Sequence, residues 1–369
     1  MEIVRLLSKY SDMDISKKFL KVSESDINRI LNKDDLNFYD FLGLLSPLAE
    51  NHLEIMAQKA QQLTLQYFGK VMQLYTPLYL SNYCNNICSY CGFNADNQSK
   101  RKKLSLEEVG KEAAIISATG LKHILILTGD CRQMSPVSYI KECVQVLKHY
   151  FSSISIETYA LSQAEYGQLI EAGIDGITVY QEVYDRNIYD KVHVSGPKKD
   201  YDFRLYAVQR ALLEGIRTAN IGTLLGLNDW HKEIFLLGMH ADYLQKKFID
   251  AEIGVSVPRI KPHLGSFDAI YPVSDKNLTQ IILALRIFLP RVGITLSTRE
   301  QAKLRDNLIG LGITRISAGS TTAVGGHTLA YDVNQEEQFE IADKRNVDQV
   351  KQMLRQKQYQ PVLKDWMSL

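Results

Sequence analysis

The chain has 369 residues, of which 45% are hydrophobic and 23% charged, a composition typical of globular proteins rather than disordered or fibrous ones. The formal charge of +1, from 43 basic and 42 acidic residues, provides no general attraction to nucleic acid or anionic lipid. The apolar runs are much shorter than the roughly 20 residues of a membrane span, and residues 1–20 are too charged for a signal peptide. We therefore expect a cytoplasmic protein with neither nucleic acid nor membrane as a partner.

Residues 1–70 carry apolar residues at helical spacing, at 35–43 and 48–66, which predicts an N-terminal helical extension. From residue 71, short β-branched or aromatic runs alternate with amphipathic segments, as in parallel βα units. The predicted strands are 71–80, 123–128, 153–159, 176–181, 219–225, 252–259, 293–298 and 314–318. The predicted helices between them are 106–118, 139–150, 164–172, 203–214, 231–247, 277–289 and 300–309.

Eight such repeats favour a closed (β/α)8 barrel over residues 71–320, although a doubly wound open sheet uses similar units. Residues 321–369 are predicted to pack on the barrel as a C-terminal segment. Gly120, Gly173, Gly215, Gly293 and Gly312 stand where helices give way to strands, so we expect a positive φ at each. In a barrel, the functional side chains lie at the C-terminal ends of the strands.

Three of the five cysteines, Cys84, Cys88 and Cys91, follow the first predicted strand. Spacings of three and two intervening residues let one loop wrap three thiolates around an iron-sulfur cluster and leave one iron open. Structural zinc is the alternative, but it needs four closed ligands and usually a second ligand pair, and no such pair is visible in the sequence. Cys143 lies on a predicted helix and is assigned to the core, whereas Cys131 remains ambiguous.

The pattern CxxxCxxC after the first strand, with Tyr90 before the third cysteine, resembles the signature of the radical S-adenosylmethionine (SAM) superfamily. This resemblance implies a [4Fe-4S] cluster on Cys84, Cys88 and Cys91, SAM bound to the open iron, and Tyr90 near the adenine. In that superfamily, one electron from the cluster cleaves SAM to methionine and a 5′-deoxyadenosyl radical.

Later strand ends match further SAM contacts of the superfamily. Thr128, Gly129 and Asp130 correspond to its glycine-rich strand end, which binds the methionyl ammonium; an ordinary turn is the alternative. Gln181 and Glu182 correspond to contacts with the ribose hydroxyls.

Three more residues complete the SAM site that the resemblance implies. Glu157 ends the third strand and faces the same mouth. Arg204 matches an arginine that pairs with the SAM carboxylate, a bidentate geometry that lysine does not reproduce; a solvated surface arginine is the alternative. Leu225 belongs to segment 222–226, which resembles the apolar segment that packs on the adenine.

Nearly the whole chain resembles the radical SAM aromatic amino acid lyases, and most nearly the tyrosine lyases of the 2-iminoacetate synthase type in thiamine thiazole biosynthesis. The matching segments are 82–93, 179–182 with Tyr184, 256–259 with Pro262, 296–300, 317–319 and 360–366. The resemblance implies cleavage of the Cα–Cβ bond of L-tyrosine to 2-iminoacetate (dehydroglycine) and p-cresol, while SAM gives 5′-deoxyadenosine and methionine.

By this resemblance, Arg299 clamps the substrate carboxylate and Ser297 helps to position it. The two residues lie on the same side of the seventh strand, which agrees with a shared role. A rim ion pair between Arg299 and Glu300 is the alternative. The contacts of the tyrosine phenol stay open, with His327 among the candidates.

The implied partners are L-tyrosine, a thiazole synthase that receives the imine, and a flavodoxin- or ferredoxin-type electron donor. The tyrosine lyase that matures [FeFe]-hydrogenase is the nearest rival, but it carries additional cysteines in a C-terminal extension, whereas no cysteine follows Cys143 here. The sequence also leaves open a tryptophan lyase and a non-catalytic barrel scaffold with a structural metal.

Overall fold

The protein is described by a computed structural model covering residues 2–263, 267–328 and 337–364. Eight parallel strands form a closed barrel, because the eighth strand pairs with the first at Gln73↔Arg315 and Tyr75↔Ser317. The (β/α)8 prediction is thereby confirmed. The strands are β1 (Val71–Ser81), β2 (His123–Thr128), β3 (Ser153–Glu157), β4 (Gly176–Glu182), β5 (Thr218–Thr223), β6 (Glu252–Ser256), β7 (Gly293–Leu296) and β8 (Arg315–Ser317).

The long strand β1 has three partners. Its second half pairs with β2 from Thr76 onward, and its first half pairs with β8. A short strand near the C-terminus, Gln360–Val362, pairs with the start of β1 outside the barrel. The domain boundaries at residues 70 and 320 stay predictions, and Asp365 and Trp366 of the matching tail lie outside the described residues.

Helices surround the barrel, and N-terminal helices pack on the outer helices Trp230–Lys247 and Asp275–Phe288. The N-terminal helices are Ile3–Ser11, Ile15–Phe19, Glu24–Leu31, Phe38–Leu44 and Leu53–Phe68, with a 3-10 turn at Ala49–His52. The later helices are Leu106–Ala118, Val137–Leu147, Gln163–Ala172, Arg186–Val192, Tyr201–Leu205, Ala207–Leu213, Trp230–Lys247, Asp275–Phe288, Ala302–Leu308 and Val347–Gln356, with a 3-10 turn at Pro197–Lys199. None of the helices in the described ranges is long and apolar enough to span a membrane.

Side-chain caps set several of these helix starts. Ser105 and Ser162 each accept a hydrogen bond from the backbone three residues on, and the glutamate at that position bonds back to the serine amide, which is the capping-box arrangement. The helix predicted over 203–214 is divided at Tyr206, whose ψ of −3° lies far from the α-helical value near −42°.

Four of the five glycines predicted to have a positive φ do so, at Gly120, Gly173, Gly215 and Gly312. The prediction for Gly293 is wrong. Gly293 is the first residue of β7 and pairs with Gly254 of β6, so it takes part in the sheet rather than in a left-handed helix end.

The N-terminal extension is joined to the barrel by an aromatic cluster. Phe41 of helix Phe38–Leu44 stacks on Phe288, with 4.3 Å between ring centroids, and lies 6.2 Å from Phe235. Gly238 leaves the space for this ring, since a Cβ there would lie 2.4 Å from it. The extension therefore shares one hydrophobic core with the barrel helices.

Replacing Phe41 with alanine is expected to lower the free energy of unfolding by about 3–5 kcal/mol, because it opens a cavity in a close-packed aromatic cluster. Urea unfolding of the metal-free protein measures this change. Tyr39→Ala in the same helix is the matched control: Tyr39 is 56% exposed while Phe41 is fully buried, so the control is expected to cost less than about 1 kcal/mol. Equal losses in the two variants would contradict this account.

Candidate functional site

A large cavity opens at the C-terminal mouth of the barrel, with an empty volume of about 1440 Å³ counted out to its open side. Residues from distant parts of the chain line it, as expected where the ends of parallel strands meet. The predicted site residues that line this cavity are Cys84, Cys88, Tyr90, Cys91, Thr128, Gly129, Asp130, Glu157, Glu182, Arg204, Ser297 and Arg299.

Two predicted site residues, Gln181 and Leu225, do not line the cavity. The pairing of β4 with β5 shifts register between Tyr180 and Glu182, and Glu182 has a φ of +70°. This bulge brings Tyr180 and Glu182 to the cavity wall and leaves Gln181 buried elsewhere, where its side-chain amide has no hydrogen-bond partner among the described residues. The positive φ of a non-glycine residue is costly and is found mostly at functional sites.

Leu224 occupies the cavity wall where Leu225 was predicted. Leu225 instead extends the β5–β6 pairing: its amide donates to the Pro258 carbonyl at 2.8 Å, and its carbonyl accepts from the Ile260 amide at 2.9 Å. Neighbouring residues of an extended segment point to opposite sides, so Leu224 rather than Leu225 faces the cavity.

The cysteine loop is held at both of its ends. At one end, the Asn85 amide donates to the Asp130 carbonyl at 2.8 Å. At the other, strand Ile87–Cys88 pairs antiparallel with His193–Ser195, and the Cys91 amide donates to the Cys88 carbonyl at 3.2 Å. The three cysteines thereby share one wall of the cavity.

Arg101, which the sequence did not single out, ties the same loop together. Its guanidinium donates to the carbonyls of Asn82 and Phe93, at 2.8 and 2.9 Å, and to that of Asn94 at 2.6 Å. Five N–H donors in a rigid fork suit this task. Gly129 has a packing role as well, since a Cβ there would lie 2.3 Å from the Tyr83 carbonyl oxygen and 3.3 Å from the Cys84 Cβ.

The chemistry of this loop fits an iron-sulfur cluster. Each cysteine of such a cluster binds a different iron, so the sulfurs have to surround a cube rather than one ion. No three His, Cys, Asp or Glu side chains of the described ranges are grouped as a site for a single metal ion. Burial raises the pKa of Cys84, and raises that of Cys88 to about 12, so both are thiols until a metal displaces their protons.

Cations and a carboxylate face one another beside the cysteines. Glu182 Oε1 lies 2.6 Å from Lys198 Nζ and 3.9 Å from the Arg204 guanidinium, and Arg204 Nε donates to the Tyr180 carbonyl at 2.7 Å. Arg204 is buried, which removes the alternative of a solvated surface arginine. Lys198 was missed, because it lies in the short turn Pro197–Lys199, for which the sequence carries no strand-end signal.

Tyr90 is fixed by a histidine that the sequence pattern did not indicate. His193 Nδ1 lies 2.9 Å from the Tyr189 carbonyl, so this nitrogen carries the proton, and Nε2 accepts from the Tyr90 hydroxyl at 2.7 Å. Burial, together with the charges of Lys198 and Arg204, lowers the pKa of His193 to about 2. The ring is therefore neutral and keeps this donor and acceptor pattern at all physiological pH values.

Glu157 lines the cavity at the end of β3. Burial, and secondarily the charge of Glu182, raise the pKa of Glu157 to about 7. At neutral pH this carboxyl is thus shared between its protonated and ionised forms, and it is able to donate or to accept a hydrogen bond.

Arg299 follows β7 and lines the cavity. Beside it runs the segment of residues 337–343, which we term the strap. Its guanidinium carbon lies 3.3 Å from the ring centroid of Phe339 in the strap. Within the described ranges, the Arg299 guanidinium has no carboxylate partner, because Glu300 pairs with Arg259 and Lys261 instead. The alternative of a rim ion pair between Arg299 and Glu300 is therefore excluded. Ser297 Oγ accepts from the Arg299 amide at 3.4 Å.

Three further candidate residues lie away from the cavity. His327 Nε2 lies 3.0 Å from the Pro77 carbonyl, and the His327 amide donates to Glu112 at 3.0 Å, so this histidine anchors the chain after β8. Cys143 is fully buried in the core, as predicted, and Cys131 is buried without lining the cavity.

Comparisons with known proteins agree with this geometry. Residues 78–237 match the Radical SAM superfamily, and residues 256–360 match the Biotin and Thiamin Synthesis associated domain. The crystal structure of the [FeFe]-hydrogenase maturase HydG from Carboxydothermus hydrogenoformans superposes with a TM-score of 0.88 at 33% identity, covering 98% of this chain and 84% of that one. Methylornithine synthase (PylB) shares the fold, with a TM-score of 0.73 at 23% identity over 91% of this chain and 97% of that one.

Sequence relatives extend over almost the whole length. The 2-iminoacetate synthase of Salmonella typhimurium is 38% identical over 96% of this chain and 93% of its own. That of Escherichia coli is 37% identical with the same coverage. The chain therefore belongs to the radical SAM superfamily and, within it, to the family of the 2-iminoacetate synthases.

Proposed function

We propose that this protein is a tyrosine lyase that converts L-tyrosine to 2-iminoacetate and p-cresol, with reductive cleavage of SAM to 5′-deoxyadenosine and methionine, for thiamine thiazole biosynthesis. The observation that carries the proposal is the composition of one cavity. It unites three cysteines with an arginine, Arg299, that has no carboxylate partner in the described chain. Identity of 38% to a 2-iminoacetate synthase across nearly the full chain supports the choice of substrate.

Radical SAM enzymes use a [4Fe-4S] cluster and SAM, and the cavity suits both. Cys84, Cys88 and Cys91 would hold the cluster. The adjoining polar lining would receive SAM: Asp130 would accept from the ammonium group and Arg204 would donate to the carboxylate, while Glu182 would accept from the ribose hydroxyls. When bound, these cofactors supply a 5′-deoxyadenosyl radical through one-electron cleavage of SAM.

Another part of the cavity lining is suited to an aromatic amino acid. Arg299 would pair with the substrate carboxylate through two parallel hydrogen bonds, and stacking on Phe339 pre-orients its guanidinium plane for them. Tyr75, Tyr79 and Tyr180 line the same cavity and offer ring edges and faces to an aromatic side chain. Because the product imine hydrolyses readily, a site that excludes water protects it.

Because 2-iminoacetate hydrolyses readily in water, its direct transfer to a second enzyme is favoured. We propose a thiazole synthase as the protein partner that receives 2-iminoacetate, a flavodoxin- or ferredoxin-type electron donor, and a cytoplasmic location. A pull-down with the tagged protein from an anaerobic lysate tests the first point, and a lysate that yields no thiazole synthase would count against it.

The proposed reaction is tested by anaerobic reconstitution with iron and sulfide, followed by SAM, a reductant and L-tyrosine. We expect p-cresol and 5′-deoxyadenosine to appear in step. L-Tryptophan in place of tyrosine should give no lysis product. Deoxyadenosine without p-cresol would retain radical SAM chemistry but reject tyrosine as the substrate, and absence of both would favour a non-catalytic role.

Replacing Cys88 with alanine should abolish cluster assembly, because it removes one of the three predicted iron ligands. The wild-type protein is expected to hold about four irons with labile sulfide and a brown colour after reconstitution, and C88A to lose both. Cys143→Ala is the control, since Cys143 is buried in the core away from the cavity. Iron loss of equal extent in both variants would show a general loss of folding rather than of a ligand.

Replacing Arg299 with glutamine should raise the KM for tyrosine at least about 30-fold, because losing one partner of a buried charged hydrogen-bonded pair costs about 2 kcal/mol or more. Steady-state p-cresol formation measures this, with iron content and SAM binding as checks that the rest of the site is intact. Arg291→Gln is the control, an exposed arginine just before β7. An unchanged KM in R299Q would remove Arg299 from the substrate site.

A further inference from the structure

The strap contacts the cysteine loop at a point that none of the predicted roles uses. Gln338 Nε2 lies 3.6 Å from Cys91 Sγ, within hydrogen-bonding distance for a sulfur acceptor. On its other side, Gln338 Oε1 accepts from the Tyr79 hydroxyl at 2.7 Å. The Tyr79 hydroxyl can either donate or accept, so it satisfies both orientations of the amide. A cysteine sulfur bound to iron can only accept, so with a cluster in place the amide nitrogen faces Cys91 and the amide oxygen accepts from Tyr79.

The backbone around Gln338 is equally close to the loop. A Cβ at Gly92, directly after Cys91, would lie 2.4 Å from the Gln338 carbonyl oxygen, so only glycine permits this approach. The strap is held over the cavity by hydrogen bonds of the two residues that directly follow Gln338. Thr322 Oγ1 donates to the Phe339 carbonyl at 3.0 Å, and the Glu340 amide donates to the Pro262 carbonyl at 2.9 Å.

We propose that Gln338 is a positioning residue of the cluster, whose amide N–H donates to the Cys91 sulfur and raises the reduction potential of the cluster. This inference rests on the proposed cluster at Cys84, Cys88 and Cys91. Reduction adds a negative charge that spreads onto the cysteine sulfurs, so a hydrogen bond to one of them stabilises the reduced form more than the oxidised form. Tyr79 contributes by keeping the amide turned toward the sulfur.

The position of Gln338 also joins two parts of the site. Its neighbour Phe339 stacks on Arg299, so two consecutive strap residues contact a predicted cluster ligand and the predicted substrate arginine. A displacement of the strap would therefore change the surroundings of both groups together.

The test is a redox titration of the reconstituted cluster, followed by the electron paramagnetic resonance signal of the reduced form, without SAM or tyrosine. Gln338→Met keeps the length of the side chain and removes the donor. We expect the ratio of reduced to oxidised cluster at a fixed solution potential to fall about tenfold. This change is equivalent to lowering the reduction potential of the cluster by about 59 mV for one electron. Tyr79→Phe should shift the ratio in the same direction by less, since Gln338 is still present but no longer oriented.

Gln352→Met, an exposed glutamine of helix Val347–Gln356, is the matched control and should leave the ratio unchanged. An unaltered ratio in Q338M with full iron content would overturn the proposal. If Q338M holds less iron than the wild type, the same titration is made with Gln338→Glu and Tyr79→Phe. An unaltered ratio of reduced to oxidised cluster in both variants would overturn the proposal. If the proposal on Gln338 fails, the wild-type protein is still expected to form p-cresol. If the protein does not cleave tyrosine, the redox titration still tests Gln338, because it uses neither SAM nor tyrosine.

Discussion

The pairing of β8 with β1 is the constraint on which the site depends. It closes the sheet, and closure brings the C-terminal ends of eight strands, distant in sequence, to one mouth. The cysteine loop after β1 and Arg299 after β7 face a common cavity only because of that closure. In an open sheet, β1 and β8 would not be neighbours, and the two walls would have no fixed separation.

Closure alone does not place the cysteine sulfurs, because a loop of this length has many conformations. Contacts with other segments hold the loop in place. Arg101 donates to three backbone carbonyls in and around it, and Cys88 pairs with His193 of the connection after β4. These are mostly hydrogen bonds to backbone groups that would otherwise be buried without partners, which is costly. These contacts therefore offset part of the conformational entropy that is lost when the loop is ordered.

Much of this arrangement could be predicted from the sequence, and the failures have physical causes. Period-two and helical patterns located all eight strands, and the strand-end rule placed Cys84, Glu157 and Arg299 on the cavity. Gln181 was predicted to face the cavity, but a bulge at Glu182 interrupts the alternation of side chains between the two faces of β4. The sequence gives no sign of this bulge, because glutamate is not a residue typical of bulges. Arg101, Lys198, His193 and Gln338 could not be found, since each acts from a connecting segment whose position depends on contacts with another part of the chain.

The buried charges of the cavity explain why these connecting segments matter. Glu182 would be expensive to bury ionised without a partner, and Lys198 and Arg204 provide that partner from the connection after β4. Arg299 differs: an aromatic ring covers it, and no carboxylate of the described ranges lies within ion-pair distance, so Glu182 and Glu157 act on it only through longer-range charge. A cation without a carboxylate in contact stabilises an anion that enters the cavity more than a cation that is already paired. This difference supports the proposed arrangement, in which SAM would lie beside the paired charges of Glu182, Lys198 and Arg204 and the substrate carboxylate would lie beside Arg299.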